Sequence, residues 1–264
     1  MKLSEKVAVV TGSGSGIGRA GAILMAKEGA KVVVVDIAVK GGQETVQSIT
    51  GSGGEAMFIE TNVTKEPEVK KMVEQVISKY GHIDILYNNA GGWQRELQDT
   101  VTDDTAEEWD RLINLNLRST FLCCKYIVQE MIKAGKGSII NTSSNAGFMN
   151  SPRVEAYGAA KAGIIELTKS MCMDYGPSGI RVNVIAPGEV VTPQWNATYE
   201  HMTPDQKKKT LDFMVQCVPL GRFAQPEDVA KVVLFLASDE SAYLSGVMIP
   251  IDGGTTAGLY RYWG

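Results

Sequence analysis

The sequence predicts an α/β fold: a doubly wound parallel sheet of about seven strands with helices on both faces. Two observations predict it. Short β-branched runs alternate with longer amphipathic stretches along all 264 residues, and that alternation covers both sides of a parallel sheet with helices. A glycine-rich loop joins the first run to the first amphipathic stretch, where an open sheet of this kind binds its ligand.

The elements follow in order. Residues 7–10 are a near-continuous apolar run, as a strand buried on both faces requires. A helical stretch spans about 17–28 and Gly29 ends it. Residues 31–36 hold four valines in a row, a second buried strand. Gly51, Ser52, Gly53 and Gly54 make a turn, and 56–60 reads as the third strand. Thr64 is placed to cap a helix running to Tyr80, with Gly81 just past its end. Residues 83–87 are the fourth strand. Thr105 and Glu108 form a capping box that opens a long helix to about Ala134. The fifth strand is 138–142, followed by a helix over 157–175 and the sixth strand, 181–185. Thr203, Pro204 and Asp205 start a helix within an insertion at about 188–217. A last helix covers 226–238 and a last strand 246–250. No linker, repeat or composition shift divides the chain, so a single domain over 1–264 is expected.

Composition narrows the function. The chain is 44% hydrophobic and 21% charged, which excludes wholesale disorder. A net charge of −4 argues against nucleic acid as a partner. The basic run Lys207, Lys208, Lys209 reads as a solvated helix face. No apolar run approaches the roughly 18 residues of a membrane span, and the N-terminus has no room for a secretory apolar region. The four cysteines fit neither a zinc site nor a disulfide framework. Reduced thiols and a cytoplasmic location are expected, which makes the sequons at Asn62, Asn141 and Asn196 chance matches. With His82 and His201 as the only histidines, neither a histidine-based triad nor a metal site is expected.

The glycine loop, from Thr11 to Gly18, reads T-G-x-x-x-G-x-G. Glycine lets backbone approach a ligand closely, and the helix that follows points its N-terminal N–H groups at it, which suits a pyrophosphate. Gly12, Ser15, Gly16, Ile17 and Gly18 are the candidate contacts. Asp36 ends the second strand, near the distance at which a carboxylate meets the adenosine ribose. Such a carboxylate accepts ribose hydroxyls and repels a 2′-phosphate, and neither Ser15 nor Ile37 supplies a cation. The cofactor expected is NAD, with NADP the less favoured alternative.

Tyr157 and Lys161 stand at i and i+4 on one helix, so they share a face. An ammonium there favours the phenolate and moves Tyr157 toward a general base. Ser144, just past the fifth strand, is placed to polarise a substrate oxygen.

These residues, with Asn88-Asn89-Ala90-Gly91, Asn116 and Pro187-Gly188, resemble the short-chain dehydrogenase/reductase family in order and spacing across essentially the whole chain. The resemblance implies a Rossmann fold and an oxidoreductase. Tyr157 would be the acid/base, Ser144 would orient the substrate oxygen, and Lys161 would lower the Tyr157 pKa and bind the nicotinamide ribose. Asn116 would hold a water in a proton relay, or mark a helix kink, or both. Asn89, Ala90 and Gly91 would line the adenosine side. Pro187, Gly188, Val190 and Thr192 would meet the nicotinamide. One departure is Asn62-Val63, where the family usually has Asp-Val against the adenine, and altered adenine binding follows. The Tyr-x-x-x-Lys spacing disfavours the family's enoyl reductases.

The substrate is expected to be a small secondary alcohol or its ketone, bordered by Trp93, Arg95, Asn145, Arg153, Glu189 and Trp195. Arg95 and Arg153 suggest an anionic substrate. The insertion reads as a lid. The aromatic tail at 259–263 is expected to pack on its own subunit or a neighbour's. The resemblance implies a homotetramer, or a homodimer. Two rival functions are an NADP-linked 3-oxoacyl-carrier-protein reductase and a non-catalytic dinucleotide-sensing protein.

Overall fold

The computed structural model describes residues 1–93, 100–149 and 152–258. Arg95 and the aromatic tail lie outside the described residues. Seven parallel strands form one sheet in the order β3-β2-β1-β4-β5-β6-β7. They are β1 (Val7–Thr11), β2 (Lys31–Asp36), β3 (Glu55–Glu60), β4 (Ile85–Asn88), β5 (Gly137–Thr142), β6 (Ile180–Pro187) and β7 (Met248–Ile251). β1, β2 and β4 are central and buried almost throughout, which is why their sequences do not alternate.

Helices α1 (Gly16–Lys27), α2 (Val39–Thr50) and α9 (Pro226–Ala237) cover one face. There Met25, Val32, Val34, Tyr87 and Val233 form one core cluster. The other face carries α3 (Glu66–Tyr80), α4 (Ala106–Ile113), α5 (Ser119–Ala134) and α6 (Glu155–Tyr175). Its core includes Val9, Val33, Met72, Ile127 and Ile139. Two short helices, α7 (Pro193–Thr198) and α8 (Pro204–Val215), fill the interval between β6 and α9. The strand order reverses direction between β1 and β4. The crevice outside their carboxyl ends is therefore the place for a ligand.

Several local expectations are corrected. α2 is a helix that the apolar pattern does not announce, because it buries only Gly42, Thr45 and Ile49. Thr64 does not cap α3; its hydroxyl donates to Asn62 Oδ1 at 2.7 Å and Lys65 occupies the cap. Half of the Thr105–Glu108 box forms. Thr105 accepts the Glu108 N–H, but the Glu108 carboxylate turns to Arg111 at 2.6 Å. The long helix is not uniform either: Asn114–Arg118 is a π-helical turn between α4 and α5. Gly81 takes the left-handed conformation after α3, as expected.

Candidate active site

The glycine loop is shaped by close backbone approach. Gly12 has φ +62°, and a Cβ on it would lie 2.8 Å from Ala90 Cα. A Cβ on Gly18 would lie 2.3 Å from the Gly12 carbonyl oxygen and 2.5 Å from Asn89 Nδ2. Neither neighbour can retreat: Asn89 Nδ2 already bonds the carbonyls of Thr11 and Gly12 at 3.1 and 3.0 Å. Gly18→Ala is therefore expected to destabilise the chain by roughly 1–3 kcal/mol through overpacking. Thermal unfolding should read this as a drop of several degrees, together with weaker dinucleotide binding. An unchanged Tm and affinity would refute the packing argument.

Ser15 stands at the N-cap of α1 with no side-chain cap bond, so the first-turn N–H groups of α1 face the crevice beside the exposed Ser15 and the part-exposed Gly16 and Ile17. Thr192 packs against Gly16, with its Cγ2 3.3 Å from the place a Gly16 Cβ would take. At the end of β2, Asp36 Oδ2 accepts the Gly14 N–H at 2.7 Å and Oδ1 accepts the Ala38 N–H at 2.8 Å. Asp36 thus serves as a strand-end cap and still presents a carboxylate at the crevice edge. Ile37 beside it is exposed.

Other predicted contacts also take part in the scaffold. Val63 is buried in the core. Asn62 Oδ1 is engaged by the Thr64 N–H at 3.0 Å, in a local turn. Ala90 N donates to Thr11 Oγ1 at 3.0 Å. Val190 is buried and bridges to Ala224. A glycine loop joined to a helix N-terminus, with a carboxylate at the next strand end, fits a dinucleotide. Pro187 and Gly188 stand at the end of β6 on the opposite rim.

Tyr157 and Lys161 project from α6, and Ser144 follows β5. Lys161 Nζ lies 5.5 Å from the Tyr157 ring centroid and donates to the Thr142 carbonyl at 2.9 Å. Burial pushes the Lys161 ammonium down to about 8. Burial likewise pushes the Tyr157 phenol up to about 12, the Ser144 hydroxyl partly offsets this, and the Glu189 carboxylate adds to it. The expected depression of the phenol by Lys161 is not what this arrangement produces: desolvation outweighs a neighbour whose own charge is disfavoured.

Asn116 is fully buried in the π-helical turn. Its Nδ2 bonds the carbonyls of Gly92 and Leu112 at 3.1 and 3.0 Å, and its Oδ1 accepts the Gly92 N–H at 2.9 Å. A Cβ on Gly91 would lie 2.7 Å from Asn116 Oδ1 and 3.5 Å from Lys161 Nζ, so both side chains converge on that glycine.

Over the phenol lies Trp93, its ring stacked on Tyr157 with centroids 6.0 Å apart and planes 19° from parallel. Gln194, on α7, donates to the Trp93 carbonyl at 3.0 Å and ties that helix to this loop. Trp195 Nε1 donates to Glu189 Oε2 at 2.8 Å. Its ring meets Tyr199 and Phe223 edge-on, both at 5.1 Å. Asn145 Oδ1 accepts the Ser144 hydroxyl at 3.0 Å. Arg153 is exposed with φ +65° and lies where its charge acts on Asp103. No metal-holding cluster exists among the described residues.

A family model described as enoyl-(acyl carrier protein) reductase matches residues 12–256. The chain belongs to the short-chain dehydrogenase/reductase family. It is therefore an oxidoreductase whose family binds a nicotinamide dinucleotide. It is 41% identical to the 3-oxoacyl-[acyl-carrier-protein] reductase FabG of Thermotoga maritima, covering 96% of this chain and 99% of that one. It is 37% identical to the cyclohexanol dehydrogenase of an Acinetobacter species, covering 97% of each. A crystal structure of levodione reductase superposes with a TM-score of 0.92 at 33% identity, covering 97% of this chain and 99% of that one. No helix among the described residues is long and apolar enough to cross a membrane.

In this short-chain dehydrogenase/reductase two side chains shape the nucleotide loop without any signal in the local pattern. Arg19 bonds the carbonyls of Gly14 and Gly41 and pairs with Glu44 at 3.0 Å. Ser13 is fully buried, and its hydroxyl donates to the Val10 carbonyl at 2.7 Å. Gly41 and Glu44 lie 22 and 25 residues beyond Arg19, and Ser13 bonds a backbone carbonyl, so no motif spacing encodes these contacts.

Proposed function

We propose that this chain is an NAD-dependent dehydrogenase that interconverts a secondary alcohol and a ketone, with Tyr157 as the acid/base. The observation that carries the reading is the convergence of Ser144, Tyr157 and Lys161 at the carboxyl end of β5, facing a dinucleotide crevice. Bound NAD supplies the hydride acceptor, held by the glycine loop, Asp36 and the rim after β6. Ser144 Oγ donates to the substrate oxygen and fixes it beside the phenol. Tyr157 takes the carbinol proton in oxidation and returns it in reduction. Lys161 Nζ, anchored on the Thr142 carbonyl, holds a positive charge under that site and binds a ribose hydroxyl. Asn116 positions Gly92 through two hydrogen bonds to its backbone, and a third, to the Leu112 carbonyl, fixes the amide itself. Trp93 and the α7 lid exclude water from the reacting centre.

Asp36 supports NAD over NADP, and Arg19, the cation nearest the loop by its bonds, is neutralised by Glu44. The resemblance to a 3-oxoacyl-[acyl-carrier-protein] reductase favours a second reading, reduction of an oxoacyl group with NADPH. The carboxylate at Asp36 separates the two. A hydrogen bond to a charged group contributes about 1.5–3 kcal/mol, so Asp36→Asn is expected to cut the kcat/KM preference for NAD over NADP by about 10- to 100-fold. The assay is the reduced-nicotinamide absorbance with each cofactor over a panel of secondary alcohols. Turnover with NADP alone in the parent enzyme would overturn the NAD reading.

A further inference from the structure

Glu189 is a carboxylate built into the substrate side with one oxygen left over. Its backbone is fixed: the Ala224 N–H donates to the Glu189 carbonyl at 3.0 Å, and the Val191 N–H donates to the Ala224 carbonyl at 2.9 Å. Its side chain is fixed as well, by the 2.8 Å bond from Trp195 Nε1 to Oε2. Trp195 is itself held by Tyr199, Phe223 and a 3.1 Å bond from its backbone N–H to Thr192 Oγ1. Glu189 Oε1 accepts no hydrogen bond, and the carboxylate pairs with no cation, among the described residues.

This arrangement works against the chemistry unless the substrate uses it. The Glu189 charge reaches the Tyr157 and Tyr199 phenols and disfavours ionisation of both. Part-buried but not closed off, Oε1 stays open to an incoming donor. A structural role would need only the Trp195 bond, which a neutral amide oxygen could accept equally well.

Resting on the dehydrogenase reading above, we propose that Glu189 Oε1 receives a hydrogen-bond donor carried by the substrate beside its carbinol, a second hydroxyl or a protonated amine. Glu189 is then the specificity-determining residue, and Trp93 is the flat apolar wall for the carbon skeleton. A carboxylate-bearing alcohol is repelled. This runs opposite to the anionic substrate that Arg95 and Arg153 suggest in the sequence.

The test compares four ring alcohols with NAD: cyclohexanol, the vicinal cyclohexanediol, the vicinal aminocyclohexanol and the corresponding hydroxycyclohexanecarboxylate. In the parent enzyme the diol and the amino alcohol should exceed cyclohexanol in kcat/KM by about tenfold or more, and the hydroxy acid should fall below it. Glu189→Gln should remove most of the amino alcohol's advantage, since an amide accepts from hydroxyl but carries no charge. Glu189→Ala should bring both ratios close to one. Calorimetric binding of the same four compounds to the NADH-loaded enzyme gives the ordering without turnover, and circular dichroism confirms that each variant is folded. Ratios that the two variants leave unchanged, or an order led by the hydroxy acid, would overturn the proposal while the dehydrogenase reading stands. Glu189-dependent binding with no turnover of any alcohol would overturn the dehydrogenase reading and leave standing only the contact between Glu189 and the ligand's donor.

Discussion

Tyr157→Phe is expected to lower kcat by about a thousandfold or more while the dinucleotide still binds. The change deletes one oxygen. The ring keeps its place against Trp93, 6.0 Å away and near parallel, so packing and the cofactor crevice are preserved. What is lost is proton transfer in the transition state, an effect of about 10²–10⁴ for a positioned group. Alcohol oxidation needs the phenolate, and burial pushes the phenol up to about 12. The oxidation rate should therefore climb with pH across the neutral and mildly alkaline range, and the reduction rate should not. Stopped assays of both directions from neutral to alkaline pH, with dinucleotide binding followed by fluorescence, check this. A Phe variant that keeps more than a tenth of the parent kcat would remove Tyr157 from the mechanism. A flat oxidation profile would place the proton elsewhere.

Much of the fold is legible because its signals are local. Four consecutive valines in β2 can only suit a strand buried on both faces. The glycine loop is legible because Gly18 sits where any Cβ would strike the Gly12 carbonyl. Short-range punctuation is less secure. Thr64 resembles a helix cap, yet the Asn62 side chain captures it first and α3 begins without it. Glu108 completes a capping motif by its spacing, but an arginine three residues on offers a stronger partner than a backbone N–H.

The site divides in the same way. Tyr157 and Lys161 lie four apart on one helix, so sequence spacing places them together. Their electrostatics depend on burial, which spacing does not report, and the depression expected of the phenol is replaced by a rise. Asn116 is visible as a motif residue, but its hold on Gly92 crosses 24 positions and its π-helical turn has no pattern of its own. Arg19, Glu189 with Trp195, and Gln194 over Trp93 depend on loops brought together by the sheet.

Lys161→Met should separate stability from activity. The ammonium is buried, donates to the Thr142 carbonyl at 2.9 Å, and is pushed down to about 8 from 10.5. Its folded pKa lies below its unfolded value, so between the two the unfolded chain binds more protons. Its contribution to stability must rise with pH in that interval. The charged lysine therefore costs the folded state about 3 kcal/mol at neutral pH, at about 1.36 kcal/mol for each pH unit that separates the folded and unfolded values. The opposite sign enters in the same range: burial raises the Cys123 and Cys124 thiols and the Tyr157 phenol, and these destabilise the fold as their unfolded counterparts ionise. Parent and variant share these groups, so the Lys161 contribution is read in the difference between them. In denaturant unfolding from about pH 8 to 9 the parent should gain about 1 kcal/mol of stability on the variant. Methionine fills the same volume without a charge, so the variant should lack this contribution. At pH 7 it should be no less stable than the parent, because the relieved cost matches or exceeds the loss of one donor to the Thr142 carbonyl. Its activity should fall at least a hundredfold. A difference between parent and variant that stays flat across the interval would show that Lys161 does not titrate there. A variant that keeps its activity would mean the buried charge has no part in the chemistry, and a charge that opposes folding would then lack a reason to be there.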